Sequence, residues 1–132
     1  MVSSEPGEAL IRELIEKAQL TDFGVIGEFA TEDLVMEWPQ SGERFRGRDN
    51  VVAAVRAQPN KPAVAGPLRV VGSTDVWTLM MPLRYGDQIY HYVGVYELER
   101  GRIKRVTEYF GEPFPAQEYR APWLDRENLR SP

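Results

Sequence analysis

The second half of the chain constrains the fold most. Residues 68–73, 75–85, 88–98 and 103–110 are four strand-like runs, rich in β-branched and aromatic side chains. Tyr85-Gly86-Asp87 and Glu99-Arg100-Gly101 are the turns between the longer runs. Connections this short leave room only for antiparallel neighbours, so the region reads as a meander of long strands.

The first half reads differently. Leu10, Ile11, Leu14, Ile15 and Ala18 recur at helical spacing over residues 6–20, with Ser4 as N-cap and Glu13–Lys17 as an i,i+4 pair. Thr21 and Asp22 cap a second, shorter helix through Val25, Ile26, Phe29 and Ala30. Residues 34–38 form a strand stopped by Pro39, residues 40–43 a turn, and residues 44–46 a short return. Gly47-Arg48-Asp49-Asn50 opens a helix over residues 51–57, and the prolines of residues 59–67 enforce a loop. Residues 112–132 form a Pro-rich tail in which Trp123 and Leu124 offer apolar surface to bury. Helices followed by a meander predict an α+β fold: a curved antiparallel sheet wrapped around N-terminal helices, a cone-shaped α+β barrel, as a single domain over residues 1–132.

Totals exclude several functions. The 132 residues carry 16 basic and 20 acidic side chains, a net charge of -4, which disfavours nucleic acid as a partner. Without cysteine there is no disulfide and no thiolate metal site, and the one histidine, His91, argues against a multi-histidine site, so no metal is expected. Residues 1–8 lack a signal-peptide pattern and no segment has the roughly 18 apolar residues of a membrane span. The expected location is the cytoplasm, with no membrane partner.

Strand parity proposes a site. Asp75, Trp77, Leu79, Met81 and Leu83 make the bulkier, inward stripe of their strand. In the last hairpin a two-residue loop would put Arg100 at positive φ, so a three-residue loop, Glu99-Arg100-Gly101, is preferred, with Gly101 in the left-handed region. That register pairs Tyr90 with Phe110, Tyr92 with Glu108 and Gly94 with Val106. It collects Tyr90, Tyr92, Gly94, Tyr96, Val106, Glu108 and Phe110 on one face. The other register would replace the tyrosines with His91, Val93 and Val95. Glu108, mid-strand between Val106 and Phe110, is either solvated at a sheet surface or held in an apolar cavity, where its pKa would rise as acid–base chemistry needs. Trp38 reads first as a core plug and second as a pocket wall, the tyrosine stripe as core or as pocket lining, and Gly94 as space for a ligand or as a bend. Glu37, of opposite parity to Trp38, is expected to be exposed.

Several stretches together resemble the SnoaL-like branch of the nuclear transport factor two-like superfamily. They are Phe29-Ala30-Thr31-Glu32-Asp33-Leu34-Val35-Met36-Glu37-Trp38-Pro39, Gly47-Arg48-Asp49-Asn50-Val51, Tyr96-Glu97-Leu98-Glu99-Arg100-Gly101-Arg102-Ile103 and Thr107-Glu108-Tyr109-Phe110. The resemblance spans nearly the whole chain and implies fold more than activity. Ketosteroid isomerases of this superfamily carry an aspartate base where this chain has Trp38. Limonene-epoxide hydrolases carry an aspartate where this chain has Glu108 and a second one matching Asp75; their arginine position is Ser73 here, and their tyrosine and asparagine fall near Val35 and Glu37. Polyketide cyclases place an acid at Glu108 and a histidine near Gly94. The resemblance thus implies Glu108 as a catalytic acid–base group, with Asp75 assisting. Trp38, Trp77, Tyr90, Tyr92, Tyr96 and Phe110 would be the pocket for a hydrophobic small molecule. The reaction would be isomerisation, cyclisation or hydrolysis without a cofactor. The alternative is a non-enzymatic binding or interaction module of the same fold. The outer sheet face, with His91, Val93, Val95, Thr107 and Tyr109, is apolar enough to predict a homodimer.

Overall fold

The computed structural model describes residues 5–125. The first helix, α1 (Pro6–Leu20), buries Ile11, Leu14, Ile15 and Ala18, the stripe that the spacing predicts. Pro6 starts it, where a missing N–H costs nothing, and Glu5 precedes it without a side-chain cap. The expected Ser4 cap lies outside the described residues. Lys17 bonds Glu28 at 2.5 Å rather than Glu13 one turn back, tying α1 to the next segment. A 3₁₀ turn over Phe23–Phe29 follows, and the Asp22 carboxylate accepts from Gly24 N–H at 2.7 Å at its start.

Seven strands make one open, mixed sheet. They are β1 (Ala30–Trp38), β2 (Glu43–Arg46), β3 (Ala63–Val64), β4 (Arg69–Ser73), β5 (Val76–Tyr85), β6 (Gln88–Glu99) and β7 (Arg102–Gly111). Their order is β2-β1-β7-β6-β5-β3, with β4 also paired to β5. All neighbours are antiparallel except β1 and β7, which run parallel. The second helix, α2 (Arg48–Arg56), packs on the 3₁₀ turn and on β1. Inside the curve, α1 and the 3₁₀ turn meet Leu34, Met36, Trp77, Leu79, Met81, Leu83, Ile103 and Val106 to form one core.

The last hairpin departs from the expected register. The turn is the two-residue one, with Glu99 opposite Arg102 and both Arg100 (φ 51°) and Gly101 (φ 77°) left-handed. Such a turn matches the twist of the flanking strands, which offsets the strain at Arg100. Continued unchanged, that register would send Glu108 to the outer face. It is broken by a bulge: Leu98 pairs with Ile103 but Glu97 with Arg105, leaving Lys104 unmatched on β6. Tyr92 therefore faces Phe110, Gly94 faces Glu108 and Tyr96 faces Val106, two residues along from the expected pairing. An even displacement preserves parity, so the expected same-face set holds.

Beyond β7, a 3₁₀ turn at Glu118–Trp123 contains Pro122. Trp123 and Leu124, expected to find something to bury, are instead exposed.

Candidate functional site

A cavity of about 360 Å³ opens between α1, the 3₁₀ turn, the loop after α2 and the concave face of β1, β5, β6 and β7. That volume lies within the range of small-molecule sites. Leu14, Ile15 and Ile26 close one side; Met36, Met81 and Leu83 form the other. Glu108, only 9% exposed, is the one buried charged residue among those described.

Two aromatic residues hold the Glu108 carboxyl. Trp38 Nε1–H donates to Oε1 at 2.9 Å, and the Tyr92 hydroxyl donates to Oε2. The Tyr92 and Tyr96 hydroxyls lie 2.6 Å apart and continue the chain. Gly94 makes this geometry possible. A Cβ there would come within 2.3 Å of the Tyr92 oxygen and 2.8 Å of the Tyr96 ring. The space left by the missing side chain is filled by the two tyrosines, directly across from Glu108. Phe110 stands edge-on to Trp38 and to Tyr92, with centroids 6.0 and 5.5 Å apart. Its own backbone is gripped by Gln40, whose amide accepts from Phe110 N–H at 2.6 Å and donates to Phe110 C=O at 2.8 Å.

Burial pushes the Glu108 carboxyl above its ordinary pKa; the bonds from Tyr92 and Trp38 pull the other way without cancelling the rise. Burial also raises the Tyr92 and Tyr96 hydroxyls, and the neighbouring Glu108 charge adds to both shifts. Two proton arrangements fit these distances. With Glu108 ionised, Tyr92 donates to the carboxylate and Tyr96 donates to Tyr92, so Tyr96 presents only lone pairs to the cavity. With Glu108 protonated on Oε2, the chain reverses and the Tyr96 O–H becomes available as a donor. The charge on Glu108 is thus transmitted as a choice between donor and acceptor at Tyr96.

Glu108, Tyr92, Tyr96, Trp38 and Phe110 all line the cavity. The other expected site residues lie elsewhere. Asp75 sits in the exposed β4–β5 turn, where its backbone carbonyl accepts from Leu98 N–H at 2.7 Å. Trp77 is buried on the inner face, with its N–H bonded to Thr74 C=O at 3.0 Å and its ring against Gly7 of α1, so it serves the core. Tyr90 is half-buried and edge-on to Tyr85 at 5.3 Å, in a groove beside the cavity. Glu37 points to the outer face but is partly covered, between Arg44 at 2.8 Å and Arg105 at 3.4 Å. Sequence reasoning missed Asp22, Arg56, Gln58, Asn60 and Lys61 at the cavity's exposed end. They come from a helix cap, a helix end and a proline-rich loop that only the tertiary fold brings together. Among the described residues there is no acid, histidine and cysteine cluster able to hold a metal ion, and no helix long and apolar enough to cross a membrane.

Neither the protein-family models nor the curated proteins give a match to this chain. Solved structures do. An NTF-2 like protein of unknown function from Burkholderia xenovorans is 26% identical, with a TM-score of 0.83 over 93% of this chain and 96% of that one. A proposed ketosteroid isomerase from Kribbella flavida is 21% identical, with a TM-score of 0.82 over 95% of this chain and 92% of that one. An LEH-like epoxide hydrolase from M. tuberculosis is 20% identical, with a TM-score of 0.61 over 80% of this chain and 82% of that one. The last two likenesses are of fold alone. With helices set against an open, curved sheet, the chain has the fold of the NTF2-like superfamily.

Proposed function

We propose that the cavity binds a hydrophobic small molecule and that Glu108 exchanges a proton with it as a general acid–base. The observation that carries this reading is a carboxyl buried in an apolar cavity, fixed by Trp38 and Tyr92, with its pKa raised by burial. Its raised pKa brings the carboxyl closer to neutral pH, where a general acid–base group works best. As a base it takes a proton from an activated carbon or a water molecule, and as an acid it returns one. Tyr96, supplied with a proton through Tyr92, would donate to a carbonyl or epoxide oxygen of the ligand. Isomerisation, cyclisation and hydrolysis each need only such transfers. Neighbours of the same fold described as a ketosteroid isomerase and as an epoxide hydrolase support this range. Turnover of enones, epoxides and polyketide mimics tests it. Glu108→Gln is expected to lose roughly 10²- to 10⁴-fold in turnover while retaining ligand binding, and unchanged turnover would contradict the proposal.

One observation favours a second reading, a binding module without catalysis. Among the described residues, no second carboxylate lines the buried end of the cavity beside Glu108, and Asp75 lies in the outer turn. Under this reading Phe110→Ala weakens ligand binding and Glu108→Gln affects stability alone. Both readings accommodate a homodimer formed through the outer sheet face.

A further inference from the structure

This inference rests on the cavity being a small-molecule site and narrows what enters it. The charged side chains lining the cavity separate by depth. Glu108 is buried, whereas Arg56 and Lys61 are exposed and Asp22 half-exposed. The Asp22 charge is already met: Oδ1 accepts from Gly24 N–H at 2.7 Å and from Arg56 Nε–H at 3.0 Å. Lys61 Nζ donates to the Thr21 carbonyl, a neutral partner; its charge reaches Asp22 and helps to lower that carboxyl, but among the described residues Lys61 makes no direct ion pair. An ammonium has three donors, so two remain for a ligand at the rim. Gln58, whose side chain bonds Tyr85, and Asn60 line the same cavity. Among the described residues that line this end of the cavity, Asp22, Arg56 and Lys61 therefore sum to one positive charge. Glu43 lies outside this set, in the adjoining groove, where its carboxylate accepts from Ser41 Oγ at 2.6 Å.

We infer that the cavity takes an amphipathic carboxylate, whose anionic group sits at Lys61 and whose apolar body reaches inward past Ile26 and Met81 toward Glu108. The reverse orientation would bury a second carboxylate beside the first, where both desolvation and repulsion oppose it. Lys61 thus fixes which end of the ligand meets Glu108 and Tyr96. A carbonyl, hydroxyl or epoxide at the far end of the ligand would be the group presented to them.

Isothermal titration calorimetry with decanoate and its uncharged counterpart, methyl decanoate, separates this inference from the reading beneath it. Decanoate is expected to bind about fivefold more tightly, the scale of a partly exposed ion pair, with the advantage shrinking as salt is added. Lys61→Met should bring the two ligands close to parity, and Lys61→Arg should retain the preference. Equal affinity of the wild type for both ligands, or a preference that survives Lys61→Met, would overturn the inference while leaving the cavity as a binding site. Binding of neither ligand would overturn both.

Discussion

Glu108 is placed where a carboxyl is expensive to ionise and then given two donors that favour the ionised form. The balance comes down on the side of burial. Its direction can be tested one bond at a time. Tyr92→Phe removes a donor to the carboxylate, so the Glu108 pKa is expected to rise further above the wild-type value, as an NMR titration would show. A fall in that variant would mean that Tyr92 favours the neutral acid. Strand parity puts Glu108 on one face with Val106 and Phe110; whether the tyrosines or His91, Val93 and Val95 join them depends on the hairpin register. Its partners were not legible in this way. Trp38 lies 70 positions away on a strand that is parallel to β7, and nothing local in the sequence brings an indole N–H to that carboxyl. Asp75 illustrates the opposite limit. Its parity is inward, but it lies at the turn, beyond the last ladder pair of β4 and β5, where parity has no force.

At the scale of elements, one bulge decides which face of β7 lines the cavity. A longer loop would avoid positive φ at Arg100, as the expected register assumes. The molecule accepts that strain in a tight turn and corrects the register at Lys104. Both routes shift the pairing evenly from one another, which explains why the face set was legible although the pairing was not. Gly94 is the second device. The choice between space for a ligand and a bend in the sheet omitted what occupies the site, a pair of tyrosine rings meeting over bare backbone. Gly94→Ala should therefore overpack the tyrosine pair and destabilise the fold by about 1–3 kcal/mol, measured by urea denaturation. A variant as stable as wild type would show that the rings have room to move aside.

For the whole molecule, α1 and the 3₁₀ turn pack on the concave side of the sheet. Tyr109 and Val76 are exposed on its convex side, with Val93 and Val95 partly so and His91 at the edge of the patch. An apolar patch of this kind in water marks an interaction surface. The proposed homodimer should appear as twice the chain mass in sedimentation at micromolar concentration, and Val95→Arg should reduce it to the monomer; a wild-type monomer would contradict the proposal. The same architecture sets the central claim, that the cone keeps the Glu108 carboxyl out of water. The direct measurement is the pKa of that carboxyl by carbon-detected NMR titration of the whole protein. A midpoint clearly above the ordinary 4.5 is the predicted result, whereas a midpoint at or below it would mean a solvated or fully compensated carboxylate and would contradict the claim.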